Sequence, residues 1–222
     1  MLRSITDQVL GFLFPDRCAG CGRSGSLFCA VCRSQLHPYA ARKHLSLGSA
    51  ATPALDDARV AFVFEGPLRE AIHCLKYTRI RRVAEPLGDL LAEHLCENPL
   101  PSDGLVPVPL HPKRLAERGF NQSELLGQRI ARAANLPLIA RGLVRRRDTA
   151  HQVGLDARAR QENIQGAFDW RFSEPPPARV LLLDDVLTTG ATLNACAEAL
   201  RAAGVQEVRA LALAGSQPGS DQ

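Results

Sequence analysis

Asp184 and Asp185 follow the apolar run Val180 to Leu183 and precede a small, hydroxyl-rich stretch, Thr188, Thr189, Gly190, Ala191 and Thr192, which leads into a helix-like pattern from Leu193 to Ala202. Two carboxylates at the C-terminal end of a strand can accept hydrogen bonds from the vicinal hydroxyls of a sugar. Backbone N–H groups at a helix N-terminus favour an anion, because unpaired amides and the helix dipole act together there. Gly190 lets the backbone come close to that anion. The string DDVLTTGAT therefore reads as a diol grip followed by a cradle for one phosphate. No Gly-Lys-Ser/Thr follows it, so it is not the loop that holds a nucleotide's outer phosphates. A strand-to-helix turn capped by threonine explains a bare TTG equally well. What such a turn leaves unexplained is the acidic pair after four apolar residues. Receiver domains also carry an aspartate pair, but near their start, whereas this one stands late in the chain.

A second anion-binding candidate lies upstream, in VPVPLHPKRLAERGFNQSE from Val106 to Glu124. A strand ends in a loop carrying His111, Lys113, Arg114 and Arg118, followed by Gly119 and a helix capped at Asn121. Cations and amides converging there suit a dense anion such as pyrophosphate. On charge alone the loop is an ordinary solvated basic loop. Its pairing with a ribose-phosphate loop later in the chain favours the functional reading.

Cys18, Cys21, Cys29 and Cys32 form C-x2-C-x7-C-x2-C, two knuckles that can bring four thiolates to one tetrahedral ion. The seven-residue spacer is short for a finger but fits the tight hairpin of a zinc ribbon, with Gly20, Gly22 and Gly25 relaxing its turns. So small a segment buries too little apolar surface to fold alone, and bound zinc would supply its folding free energy. Four unrelated thiols or a redox pair are the alternatives; the latter needs a thioredoxin-like surround that this sequence lacks. His37 and His44 read as surface residues. Cys74, Cys96 and Cys196 read as buried structural thiols.

The elements that must position these groups follow from periodicity. The opening MLRSITDQVLGFLF reads as a short amphipathic helix rather than an export signal, since Asp7 and Gln8 interrupt its apolar core. That predicts a reducing, cytoplasmic setting, in which seven cysteines are not a disulfide framework. No apolar run approaches the roughly 20 residues of a membrane span. Residues 1–37 form the helix and ribbon, and 38–57, rich in Pro, Gly, Ser and Ala, read as a linker. Residues 58–214 form the larger domain, and 215–222 a flexible tail. In that domain, strands are expected at Ala58 to Phe64, Leu105 to Leu110, Leu138 to Val144, Val180 to Leu183 and Val208 to Ala212. Helices are expected at Pro67 to Tyr77, Val83 to Cys96 and Gln122 to Ala134, the last with a capping box of Asn121 and Glu124. This alternation predicts an α/β fold, a mostly parallel sheet flanked by helices, with ligands beyond the strands' carboxyl ends. With 45% hydrophobic residues in 222 the chain can bury a sizeable core, and its net charge of +4 does not by itself point to nucleic acid. That excess equals the local one between Arg141 and Arg160, where six arginines face Asp148 and Asp156 and imply an anionic ligand or strand.

DDVLTTGAT resembles the PRPP-binding motif of the type I phosphoribosyltransferases, PRPP being 5-phosphoribosyl 1-pyrophosphate. The cysteine knuckles, GPLREAIHCLKY at 66–77, LVPVPLHPKRLAERGFNQSELL at 105–126, RRDTAHQVGL at 146–155, NIQGAF at 163–168 and DDVLTTGATLNACAEAL at 184–200 together resemble the ComF family, in that family's order. These bacterial proteins are linked to competence and DNA uptake or to gluconate utilisation. The resemblance implies a type I phosphoribosyltransferase domain, a pentosyl-transferring glycosyltransferase fold, behind a structural zinc ribbon. Many members carry a further cysteine pair where this chain has LSLGSAATP, which leaves a second ribbon element without support.

By the same resemblance Asp184 and Asp185 hold the ribose diol, the amides of Thr188 to Thr192 the 5′-phosphate, and Lys113, Arg114, Arg118 and Asn121 the pyrophosphate. Mg2+ bridges pyrophosphate and ribose hydroxyls. Arg147, Thr149, Gln152 and Arg160 fall where this fold has a hood over the site, and Arg147 and Arg160 are expected to act in catalysis beside the acidic pair. Lys76 and Tyr77 face the same cleft, although core packing explains Tyr77 as well. No general base stands out. Implied partners are PRPP, single-stranded DNA and a competence helicase or other DNA-processing proteins. Three roles follow: an enzyme transferring phosphoribosyl to a nitrogen acceptor, a noncatalytic DNA-binding component of uptake with a regulatory PRPP pocket, or a protein-docking role for the ribbon. Only Phe168, Trp170 and Phe172 offer stacking near the arginine-rich stretch.

Overall fold

The computed structural model describes residues 15–39, 54–147, 164 and 166–216. Its centre is a four-stranded, all-parallel sheet in the order β1-β6-β5-β2. The strands are β1 (Asp57–Val63), β2 (Gly104–Pro107), β5 (Arg179–Leu187) and β6 (Glu207–Gly215). Two shorter strands, β3 (Leu143–Arg145) and β4 (Phe168–Trp170), pair antiparallel in a separate ribbon. Helices are α1 (Ala30–Ser34), α2 (Gly66–Tyr77), α3 (Ala84–Glu97), α4 (Pro112–Arg118), α5 (Gln122–Ala134) and α6 (Ala191–Ala202).

The period of two along the central strands builds two cores. Leu181 and Leu183 of β5, with Leu211 and Leu213 of β6, face Leu68 and Ile72 of α2, Leu87 and Leu91 of α3, and Leu126 and Ile130 of α5. Val180 and Leu182, with Val208, Ala210 and Ala212, face Leu193, Cys196 and Leu200 of α6 and the β3–β4 ribbon through Leu143 and Phe168. The result is three layers, helices on both faces of a parallel sheet. Small residues set the close approaches. A Cβ on Gly127 would stand 3.0 Å from Leu138 and 3.3 Å from Leu183, so glycine there lets α5 lie tightly on the sheet.

The cysteine segment is docked on this body. Ala19, Leu27, Phe28 and Leu36 pack against the first core. Gly20 abuts Pro67 at the start of α2, where a Cβ would meet the proline ring at 2.9 Å. Arg82 grips Asp16 through two hydrogen bonds of 2.9 and 3.1 Å, Arg33 pairs with Glu93, and His37 meets Glu65 at 2.6 Å. The chain then runs antiparallel beside β1: Pro38 bridges Phe62, the Tyr39 N–H donates to Ala61 and the Val63 N–H to His37.

Several sequence expectations change in detail. The strand expected at Leu138 to Val144 divides: Leu138 bridges Leu105 of β2 in parallel, then the chain leaves the sheet and Leu143 joins the antiparallel ribbon. Leu138 packs on the first core, and Leu143 is buried in the second, where it pairs with Trp170 of β4. The basic loop at Lys113 to Arg118 is a helix, α4, started by Pro112 and the His111 cap and ended by Gly119 at φ 82°. Cys196 is buried and Cys74 partly so, but Cys96 is exposed. Asn121 caps α5 by accepting from the Ser123 N–H, without a reciprocal bond from Glu124 among the described residues. His44, the opening helix, most of the linker, most of the tail and residues 148–163 lie outside the described residues.

Candidate functional site

Neighbouring strands β2 and β5 send their helices to opposite faces of the sheet: α5 lies in the first core and α6 in the second. A crevice opens at the carboxyl ends of such strands, where parallel α/β sheets place ligands. The pairing of β2 ends at Pro107 opposite Leu183, with one further bond from the Val108 N–H to the Leu183 carbonyl. Pro109 has no N–H to continue the ladder. β5 runs on to Leu187 beside β6, so Asp184 and Asp185 project at the point where their other neighbour has turned away.

Each carboxylate is fixed by one oxygen. Asp184 Oδ1 accepts from the Ser123 hydroxyl at 3.1 Å and from the Asp185 N–H at 2.9 Å. Asp185 Oδ1 lies 2.9 Å from Lys76 Nζ, an ion pair whose side chains are 9% and 20% exposed. Among the described residues, the second oxygen of each takes no hydrogen bond from the protein, leaving two neighbouring acceptors for two hydroxyls. Burial, followed by the charge of Asp185, pushes Asp184 up to about 7, against the opposing pull of Lys76, the Asp185 amide and Ser123. Burial also pushes the thiol of Cys196 well above its ordinary range, and the charge of Asp184 adds to that.

Beyond the pair, Gly190 adopts φ 77° at the N-cap of α6, a left-handed conformation that turns residues 188–190 into the helix. The Thr189 hydroxyl reaches the Ala191 N–H at 3.5 Å, a weak bond. The first amides of α6 have no intrahelical acceptor, so the turn presents N–H donors. Across the crevice, α4 buries none of its residues and carries Lys113, Arg114 and Arg118. Arg118 lies 5.7 Å from the centre of the Tyr77 ring, and its own burial lowers its pKa while the charge of Asp185 raises it. Asn121 is occupied within the protein: its amide donates to the Val108 carbonyl and its oxygen accepts from Ser123, tying the end of β2 to α5.

Arg147 stands just after β3 on the antiparallel ribbon, with Gly166 beside it. Arg160, Thr149 and Gln152 lie outside the described residues. Ser123 does not figure among the residues the sequence singles out, and Lys76 figures there only as a residue facing the cleft, without a partner or a role. Lys76 had a signal: it follows Leu68 and Ile72 at intervals of four on the buried face of α2, where periodicity calls for an apolar side chain. Ser123 likewise shares the buried face of α5 with Leu126, Gly127 and Ile130.

The four cysteines converge as their spacing predicts. All four Sγ atoms lie within 4.8 Å of one another, with Cys18–Cys32 at 3.6 Å and Cys21–Cys29 at 3.7 Å. A tetrahedral ion with metal–sulfur bonds of about 2.3 Å requires sulfur–sulfur edges of about 3.8 Å. This cluster can hold a metal ion. Burial of Cys18 opposes ionisation, but the backbone amides of Cys29, Cys21 and Gly20 outweigh it and bring the thiol down to about 6. Cys32, buried among the other sulfurs, is raised instead.

Comparison with known proteins bears on the parallel domain and on the chain as a whole. The phosphoribosyl transferase domain family matches residues 123–221. The chain is 33% identical over 207 residues to Competence protein F of Haemophilus influenzae, an alignment covering 89% of each chain. It is also 33% identical over 201 residues to DNA utilization protein YhgH of Escherichia coli, covering 86% of this chain and 87% of that one. Competence protein ComFC of Bacillus subtilis matches at 33% over 96 residues, 43% of this chain and 37% of that protein. Among the described residues, no helix is long and apolar enough to cross a membrane.

Proposed function

This chain belongs to the Competence protein F family, and on that premise we propose that its parallel domain binds PRPP and serves DNA uptake in the cytoplasm. The observation that carries the proposal is the pair of carboxylate oxygens on Asp184 and Asp185 that, among the described residues, take no partner, one strand-end away from the amide-lined turn at Gly190. Two hydroxyls on one side and a phosphate on the other describe a 5-phosphoribosyl group. Asp184 and Asp185 take the ribose diol, and Thr188, Thr189, Gly190, Ala191 and Thr192 the 5′-phosphate. Lys113, Arg114 and Arg118 of α4 across the crevice take the pyrophosphate, while Asn121 ties the end of β2 to α5. The oxygen-only acceptors of the acidic pair suit Mg2+, which neutralises the pyrophosphate it accompanies. Zn2+ in the cysteine cluster completes the proposal, as does the division into ribbon (1–37), linker (38–57), domain (58–214) and tail (215–222).

In a transfer reaction the bond from ribose C1 to pyrophosphate breaks, leaving an oxocarbenium-like sugar that a nitrogen nucleophile attacks. Cations on the leaving group then contribute most to the rate. Arg147 and Arg160 belong to the hood that excludes water during that step. Magnesium-dependent pyrophosphate release from PRPP, lost when both aspartates are replaced by alanine, is the expected result. PRPP binding without turnover across bases and amines would leave a regulatory pocket instead. Absence of PRPP binding would remove the proposal.

The second reading, direct binding of single-stranded DNA, draws support from the relatives named for DNA utilization. Affinity for single strands should then fall steeply with salt and with arginine replacement between 141 and 160. Salt-insensitive or absent binding would exclude it and leave protein partners such as a competence helicase.

A further inference from the structure

We propose that Lys76 is a positioning residue of the phosphoribose site: it acts through Asp185, aiming that carboxylate's second oxygen at the ligand's diol and supplying the charge that lets a polyanion approach two carboxylates. This rests on the phosphoribose reading above. Lys76 occupies the last turn of α2, four residues past the fully buried Ile72 and eight past the fully buried Leu68. A sequence selected for packing alone would continue that stripe with an apolar side chain, because a largely buried ion pair is often no more stable than a hydrophobic replacement. Instead, the ammonium reaches out of the first core to Asp185 Oδ1 at 2.9 Å.

Division of labour around the acidic pair supports the assignment. Ser123 and the Asp185 amide hold Asp184, and Lys76 holds Asp185, so among the described residues each carboxylate is pinned by one oxygen and open at the other. Among the described residues, Lys76 is the one cation in ion-pair contact with either aspartate. Arg118 also feels the charge of Asp185, but its guanidinium is stacked over Tyr77, a ring that is 72% exposed. Without Lys76 the diol grip would set two carboxylates against the ligand's own negative charge, and Asp185 would lose the contact that orients it.

Calorimetric titration in magnesium-free buffer separates this role from a structural one, with ribose 5-phosphate and inorganic phosphate as paired probes. Inorganic phosphate uses the turn at 188–192 and lacks a diol. Lys76→Met is expected to weaken ribose 5-phosphate about tenfold or more while changing inorganic phosphate by less than about twofold, because only the former uses Asp185. Lys76→Arg should recover part of the loss. In an Asp185→Asn background, adding Lys76→Met should cost nothing further, the signature of two residues acting as one unit. Equal losses for both probes, no loss for either, or additive losses in the double variant would overturn the assignment. Parent protein that binds neither PRPP nor ribose 5-phosphate would overturn the phosphoribose reading itself, and this inference with it. Parent binding with an unaffected Lys76→Met variant removes only the role of Lys76.

Discussion

Asp184 is the residue whose surroundings most constrain when the site works. Its pKa of about 7 lies above the unfolded value near 3.8, so between those values the folded chain keeps a proton that the unfolded chain has released. Its contribution to stability is therefore full below about pH 4, declines as the pH rises towards 7 and is absent above. Asp184→Asn should flatten that slope, raising unfolding free energy near pH 8 by about 1 kcal/mol or more while changing it little near pH 4. Denaturant unfolding of parent and variant at the two pH values measures this; a variant no more stable at pH 8 contradicts it. The groups facing Asp184 are Asp185, Lys76, Ser123 and Cys196, and their replacement should move the midpoint. Ligand affinity runs the other way, since a hydroxyl donates best to an ionised carboxylate. Ribose 5-phosphate should bind more tightly near pH 8 than near pH 6, beyond any change seen for inorganic phosphate, and the difference should vanish in Asp184→Asn.

At the scale of elements, the site depends on how closely α3, α5 and the sheet approach. A Cβ on Gly88 would stand 2.6 Å from Arg129 Cγ and 2.8 Å from its Cβ, and that arginine is held by Asp89 through bonds of 2.7 and 3.0 Å. Gly88→Ala should therefore destabilise the protein by about 1–3 kcal/mol, measured by thermal or denaturant unfolding, despite alanine's better helix propensity. A neutral or stabilising effect would show that α3 can slide without consequence. The central strands were legible because β5 and β6 are long enough to show a continuous buried run, and α2 and α5 because their apolar positions repeat at helical spacing. The ribbon of β3 and β4 was not. Three residues per strand show no period, and the partner of Leu143 to Arg145 lies at Phe168 to Trp170, far along the chain. The acidic pair and the cysteines were visible since their chemistry is local in sequence. Ser123, and the contact of Lys76 with Asp185, were not legible because they arise only when α2 and α5 meet β5; for Lys76 the sequence showed the cleft but not the partner.

Across the whole molecule, the cysteine segment and the parallel domain are one packed body, joined by the Arg82–Asp16 and His37–Glu65 pairs and by Gly20 against Pro67. Metal release should therefore lower the stability of the entire protein. Cys18→Ser with Cys32→Ser, or a strong chelator, is expected to reduce the melting temperature of the single main transition by several degrees, since about 1 kcal/mol corresponds to roughly 2–4 °C in a protein of this size. Stoichiometric zinc by elemental analysis should accompany it. Metal-free protein with an unchanged transition would contradict a structural site.

The strip from His37 to Tyr39 beside β1 has a consequence for solubility. β1 is the outermost strand on its side of the sheet, and its N–H and C=O groups at Ala61 and Val63 are taken by Tyr39 and His37. Bare outer strands template association with other chains, and proline is a common guard against it because it has no N–H to offer. Pro38 sits in that strip, just past the cysteine segment. If a metal in the cysteine cluster anchors that strip, its removal should free the backbone groups of Ala61 and Val63, and self-association of the metal-free chain is the expected outcome.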